Sequence, residues 1–461
     1  MDVKTILDMI RNDTERKDTI LEAKKYYSGE NDIKNIGIVK TGKNKDPLKN
    51  ADNRVPHNFH EILVDEKAAY VFTYPVLFDI DDDKDINNKV LEVLGDEFES
   101  KSKNLCIEAS NAGCAWIHYW TKDTKDIKTN TIVKKEFKYA LVKTEQVIPI
   151  YDNSLEKKMT DIIRYYSIKE KNNEGQDEEY LYIEHWTDET MTKYKFKGCS
   201  LDISSQVKID GKDAFQMKHE LNEIPFIKFA NNAKEQSDLN RYKSLIDLYD
   251  RVLSGFGNDV EDIQQIIYIL ENYGGEKVSD FLKDLRDSKA IKVESDGAGS
   301  SGSLKTLQIE IPVEARQVIL EILKKQIYES GQGLQQDVES VGNSSGVALK
   351  FFYRKLELKS GLLETEFKLG FNKLIRAILR YLNIFEYKKI QQTFTRNMIS
   401  NDLENAQIAQ MSLGVIPEKF IFKNHPWIDD PEEAERIMEE ENEKKLNEYN
   451  NLIPGGTDGE E

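Results

Sequence analysis

Cysteine is scarce here: Cys106, Cys114 and Cys199 are the only three in 461 residues. They are odd in number and no two stand at metal-ligand spacing. A disulfide framework is excluded, and a reducing, intracellular setting is expected. Long apolar runs are also missing. The best, residues 68–78 (AAYVFTYPVLF), contains Pro75 and falls well short of the ~20 residues that a membrane-spanning helix needs. The opening stretch, MDVKTILDMIRNDTERKD, is charged throughout, so no secretory leader is expected. Positive charge is in deficit as well. Lys and Arg total 65 against 83 Asp and Glu, a formal net charge of −18. That balance argues against tight, non-specific binding of nucleic acid, although DNA could still slide past a surface that does not grip it.

Catalytic signatures are equally thin. Residues 37–44 (GIVKTGKN) carry most of a phosphate-binding loop, but Asn44 stands where a magnesium-binding Ser or Thr is required, and Pro47 follows too soon for a helix. The acidic run 79–85 (DIDDDKD) resembles the start of a calcium loop. It has Lys84 where that loop needs glycine and Val90 where it needs glutamate, so a solvated turn is expected. In 57–61 (HNFHE) the two histidines are three apart, whereas a zinc-protease helix needs four. His57 and His60 are therefore read as helix-surface or satisfied core positions. The other histidines are scattered, no Gly-x-Ser-x-Gly elbow is present, and no acid–base pair suggests itself. Neither an enzyme nor a cofactor is expected.

What the sequence does contain is clear periodicity. A helix is expected over the first 28 residues, with Ile6, Leu7, Ile10, Ile20, Leu21 and Tyr27 in its pattern. A second is expected over 58–72, capped by Asn58, with Phe59, Ile62, Leu63, Ala69 and Tyr70 as its apolar face. A short strand follows Pro75, and a third helix covers 85–101. From 115 to 229 short β-branched and aromatic runs alternate with polar turns, the signature of antiparallel β structure. Helix returns at 237–262, where Ser237 is a good N-cap and Leu239, Tyr242, Ile246, Tyr249, Leu253, Phe256 and Val260 share a face.

A small α/β insert follows, and Pro312 then starts a further helix that runs to 331. Two helices thus flank an insert. Beyond them the small and polar segment QQDVESVGNSSG leads into a long helix over 346–383, on the order of 55 Å in length. Its stripe is Leu349, Phe352, Leu356, Leu363, Phe367, Leu374, Ile378 and Leu382. A strand near 390, two more helices with Pro431 in the first turn of the last, and a polar tail after Pro454 complete the chain. The fold class is α+β.

Five blocks in this order resemble the portal proteins of tailed bacteriophages, in the branch common among phages of Gram-positive bacteria. They are YYSGENDI with NRVPHNFHEILVDEKAAYVFTYPV, then VIPIYDN, IIRYY with EHWTDETMTKYKF, FANNAKEQSDLNRYKSLIDLYDRVLSGFGNDVED, and VGNSSGVALK at 341–350. The last is the most specific. The resemblance extends from Tyr26 to about Glu443. It departs from the family at Phe72-Thr73-Tyr74, where a glycine is usual before the proline.

The resemblance implies a ring of identical subunits, usually a dodecamer, at one capsid vertex. It also implies an N-terminal wing (1–236), stem helices at 237–262 and 312–334, and a clip (263–311). A tunnel loop (335–345), the long wing helix (346–384), a wing strand (385–400) and a helical crown with a tail (401–461) complete the portal fold. The tunnel loop would be mobile and would bring Asp337, Glu339, Ser340, Gly342, Asn343, Ser344, Ser345 and Gly346 to passing double-stranded DNA. Lys350, Arg354 and Lys355 would form a weak basic ring beyond it. The clip tip, Asp296, Gly297, Gly299, Ser300, Ser301 and Gly302, would dock the terminase large subunit and later the head–tail adaptor. Major capsid and scaffolding proteins are further implied partners, with assembly in the host cytoplasm and no membrane. A portal-like component of a defective prophage or tail-like particle, or another ring-forming virion connector, is the alternative.

Overall fold

The computed structural model describes residues 1–36, 51–125, 132–171, 175–262, 267–271, 303–307, 312–335, 346–396, 402–417, 420–421, 428 and 431–452. The chain divides into two compact units. One comprises Met1–Gly333 with Lys359–Arg396, and the other Leu334–Leu358 with Asn397–Glu461.

The first unit opens with two helices where one was expected, α1 (Val3–Asn12) and α2 (Thr14–Tyr27). The break falls at Asp13, whose carboxylate is occupied by Arg16 at 2.6 Å. The two pieces bury different faces, which one straight helix could not do. α1 places Ile6, Leu7 and Ile10 on a β-sheet, while α2 turns Ala23 and Tyr26 toward α3 (Phe59–Val71). The Asn58 side chain does not cap α3; its amide donates instead to Glu61 Oε2 at 2.8 Å. The face of α3 is the expected one at Phe59, Leu63 and Tyr70 and departs from it elsewhere. Ile62 and Ala69 are exposed, whereas His60, Val64, Lys67 and Ala68 are buried.

After β1 (Leu77–Ile80), the helix expected over 85–101 is two helices, α4 (Lys84–Leu94) and α5 (Phe98–Ala112). Gly95 separates them at φ +70°, a left-handed backbone that glycine adopts without a Cβ penalty. The acidic turn before α4 is held by one local cap and one contact with a distant segment. Asp83 caps the helix through the Asp85 and Ile86 N–H groups, and Asp81 accepts from the N–H groups of Lys388 and Lys389.

The β region forms as expected, and every strand pairing in it is antiparallel. β2 (Cys114–Lys125), β3 (Ile132–Val142) and β10 (Phe226–Ala230) make one sheet in the order β10–β2–β3. The other contains β4 (Val147–Tyr151), β5 (Met159–Lys171), β6 (Asp177–Trp186), β7 (Thr190–Lys197) and β8 (Gln206–Val207) in sequence order, with β9 (Phe215–Lys218) also on β7.

α6 (Lys243–Asp262) and α7 (Val313–Gly331) are the two helices around the insert, whose described part is the hairpin of β11 (Ile267–Glu271) and β12 (Ser303–Leu307). The rest of the expected α/β insert, a small helix over 276–288 (EKVSDFLKDLRDS) and a strand over 290–295 (AIKVES), lies outside the described residues. Ser237 caps a 3₁₀ turn, Asp238–Arg241, ahead of α6 rather than α6 itself. The expected face of α6 is buried only at its start, at Leu239, Tyr242 and Ile246, and Val260 is exposed.

The long helix, α8 (Gly346–Tyr381), inserts its later turns into the main core. Phe367 and Phe371 meet Phe72, Phe78, Phe98 and Phe229 in edge and tilted ring contacts with centroids 5.1–6.5 Å apart, within the range that aromatic pairs favour. β13 (Ile390–Thr393) then returns to pair with β1, 310 or more residues earlier in the chain. In the second unit α9 (Asp402–Ser412) and α10 (Pro431–Leu452) follow, with Pro431 at the start of α10 as expected. α10 exposes Glu439, Glu440, Glu441 and Glu443 together with Arg436, Lys444 and Lys445.

Candidate functional site

Most residues singled out from the sequence fall outside the described residues. These are Asp337, Glu339, Ser340, Gly342, Asn343, Ser344 and Ser345 of the expected loop, and Asp296, Gly297, Gly299, Ser300, Ser301 and Gly302 of the expected tip. The phosphate-loop look-alike at 37–44 lies outside them too. Gly346 opens α8, Lys350 lies in its first turns, and Arg354 and Lys355 are exposed one turn later.

What the structure does describe is the root of the helical pair, where α7 ends and the chain departs toward α8. There Lys67 of α3, Asp238 of the 3₁₀ turn and Lys359 of α8 meet in the interior, each at most 5% exposed. Lys67 Nζ donates to Asp238 Oδ2 at 2.7 Å and to Asn231 Oδ1 at 2.8 Å. Lys359 Nζ reaches the same Asp238 oxygen at 3.1 Å and donates to the carbonyl of Gly331 at 2.9 Å. The Asn231 amide completes the cluster by donating to Asp238 Oδ1 at 2.9 Å. Burial alone would raise the Asp238 carboxyl, but the two ammonium groups and the hydrogen bonds outweigh it and hold it well below the usual carboxylate range. Burial lowers the Lys359 ammonium from its ordinary value, against the pull of Asp238.

One layer away, His60 lies between Tyr242 OH and Asn111 Oδ1, 2.8 and 2.9 Å from its ring nitrogens. An amide oxygen can only accept, so Nε2 carries the proton and Nδ1 accepts from the tyrosine. Burial pushes His60 down to about 4, which makes it a neutral core residue. His57 Nδ1 is 2.8 Å from the buried Asp250 of α6, which also accepts from Asn31 at 2.7 Å. Among the described residues no group of three His, Cys, Asp or Glu is placed to hold a metal ion.

The end of α7 is fixed by packing as well as by charge. A Cβ on Gly331 would lie 2.6 Å from Leu63 Cδ1, and one on Gly333 would lie 2.2 Å from Leu63 Cδ2. Between them Gln332 takes a left-handed φ of +55°, and its side chain accepts from Arg241 at 2.8 Å. Arg316 at the other end of α7 pairs with Asp259 of α6 and lies over the Phe256 ring. The helical pair is thereby tied at both ends.

Sequence reasoning missed this cluster, yet two signals were present. Lys67 occupies a buried stripe with Leu63, Val64 and Val71, and Lys359 stands between Leu356 and Leu363 on the stripe of α8. A lysine at an apolar position requires a partner. Periodicity cannot say that both would share Asp238.

The family described as phage portal protein, SPP1 Gp6-like, matches residues 7–446. The portal protein of Clostridium phage phiCD119 is 57% identical over 457 residues, covering 98% of this chain and 100% of that protein. The portal protein of Bacillus phage SPP1 is 29% identical over 478 residues, covering 97% of this chain and 88% of that protein.

Proposed function

Because the chain belongs to the SPP1 Gp6-like family of phage portal proteins, we propose that its parts do the work of the corresponding parts of a portal ring. The protein is a structural component of the virion. It forms an oligomeric ring at a capsid vertex, the channel for DNA, with the capsid and the terminase as general partners. Among the described residues no helix is long and apolar enough to cross a membrane.

The finer assignment is our own reading. The ring is a dodecamer, α6 and α7 are its stem, and the insert at 263–311 is its clip. Residues 335–345 line the narrowest part of the channel, and 401–461 form the crown facing the capsid interior. The clip receives the terminase large subunit during packaging and the head–tail adaptor afterwards. Scaffolding and major capsid proteins surround the ring during assembly in the host cytoplasm. Asp337 and Glu339 keep the constriction negative, so that phosphates are repelled and contact with DNA is brief.

One observation carries this reading: an antiparallel helix pair flanks an insert, and α7 leaves Val318, Ile319 and Ile322 exposed, a face that α6 does not cover. Such a row is suited to burial against the next copy in a closed, heterologous ring. Negative-stain imaging of the purified protein is the test, with a ring around a central hole expected. A folded protein that stays monomeric at every concentration would overturn it. Deletion of 296–303 should spare the ring and weaken terminase or adaptor binding.

A further inference from the structure

The main unit gives up the chain at Gly333 and takes it back at Lys359. Those two points are joined. Lys359 Nζ donates to the Gly331 carbonyl, 28 positions earlier, at 2.9 Å. That carbonyl belongs to the last residue of α7, one of the helix-end acceptors without a partner inside the helix and carrying partial negative charge. An ammonium set between it and a carboxylate is attracted from both sides.

Charge balance gives no reason for this lysine. Asp238 is already matched by Lys67, so Lys359 makes the cluster two cations to one anion in a site with almost no solvent. A surplus buried cation costs desolvation free energy. What Lys359 adds beyond the Lys67–Asp238 pair is its grip on the end of α7. The neighbouring contacts act in the same direction. Arg241 holds Gln332, and the Gly333 N–H donates to the Tyr328 carbonyl at 3.1 Å. Leu63 fills the space where side chains at 331 and 333 would stand.

We propose that Lys359 is a positioning residue for DNA passage: it cinches the departing and returning strands of the 334–358 excursion at a single buried point. The proposal rests on the portal reading, in which that excursion includes the segment meeting DNA. Drag on the excursion is then transmitted to α3, the 3₁₀ turn and α8 together, and does not peel α7 back from its end. Lys67 lacks a bond to α7; it balances Asp238 and donates to Asn231, both away from the excursion.

Two substitutions separate these roles, because each removes one cation of the cluster. Lys359→Met leaves a neutral Lys67–Asp238 pair and frees the Gly331 carbonyl. Lys67→Met leaves Lys359 on both Asp238 and Gly331. Each is introduced into a portal-deficient phage by complementation, and filled and empty heads are counted by electron microscopy. With rings and procapsids formed in both, Lys359→Met should yield about tenfold fewer filled heads, the order expected when a charge-assisted hydrogen bond is lost from a local opening equilibrium. Lys67→Met should stay near wild type, and Lys359→Arg should restore packaging. Equal losses in the two methionine variants, or full packaging by Lys359→Met, would overturn the proposal. If neither variant forms rings, hydrogen exchange on the wild-type ring decides. Amides in the last turn of α7 and around Lys359 should exchange as slowly as the Phe367–Phe371 core, and fast exchange there would refute the cinch. A wild-type protein that forms no ring at all would instead count against the portal reading.

Discussion

Removing the one carboxylate of the buried cluster, by Asp238→Ala, should damage this protein more than removing either lysine. At 2.7 and 3.1 Å, with an effective dielectric of about 20, the two attractions are roughly 6 and 5 kcal/mol before desolvation. The net effect is smaller, since the charges have already lost their water. Breaking a buried pair from one side typically costs about 3–5 kcal/mol, and here two ammonium groups would be stranded together. Against a usual domain stability of about 5–15 kcal/mol, that is a large fraction. Lys67→Met or Lys359→Met leaves a balanced pair and should cost about 1.5–3 kcal/mol, the worth of one charge-assisted hydrogen bond. The assay is thermal unfolding of the three variants and wild type, at one protein concentration and near neutral pH, with circular dichroism to verify folding at the start. Asp238→Ala should unfold at the lowest temperature. Were it as stable as either lysine variant, the two-cation, one-anion description of the cluster would be wrong.

Further outcomes follow from other positions. His60, ordinarily near 6.5 and about 4 when folded, binds its proton more readily in the unfolded chain; its neutral form supports the fold fully above about 6.5 and loses up to about 3 kcal/mol as pH falls to about 4. His118, also about 4 through burial, acts in the same window, so His60→Gln should remove about half of what these two histidines contribute to acid sensitivity; an unchanged pH slope in its melting temperature would contradict this. Gly113→Ala should cost about 2–4 kcal/mol by thermal melting, because Gly113 has φ +85° and a Cβ there would lie 2.1 Å from the Glu235 carbonyl oxygen; a shift of less than a degree would show that the turn relaxes freely. Asp337→Lys with Glu339→Lys should leave rings and heads normal but slow packaging, and wild-type packaging rates would remove the electrostatic argument for the constriction.

Much of the architecture could be read from local pattern. The period-two region at 115–229 became two antiparallel sheets, the helices around the insert came within a few residues of their expected limits, and the long helix begins at Gly346 as anticipated. Asp13 and Gly95 interrupt stretches whose apolar spacing looks continuous: Asp13 divides α1 and α2 between different clusters, while Gly95 turns the chain between α4 and α5, which share one. On α3 the expected Phe59, Leu63 and Tyr70 are buried, but packing leaves out Ile62 and Ala69 and takes in a histidine and a lysine instead. The candidate loop and tip were recognised by resemblance, while the buried cluster carried only the weak signal of lysines at stripe positions.

Element type and order were determined by the sequence alone, since helix and strand periods, caps and turn residues act over a few residues. Partnership was decided only by the tertiary structure. β1 finds β13 across most of the chain, and Lys67, Asp238, Lys359 and Gly331 meet from four separate segments. A charge in water has little reason to choose among distant partners, because solvent screens them all. Only when folding withdraws the water does one carboxylate become worth several kcal/mol to the ammonium groups beside it.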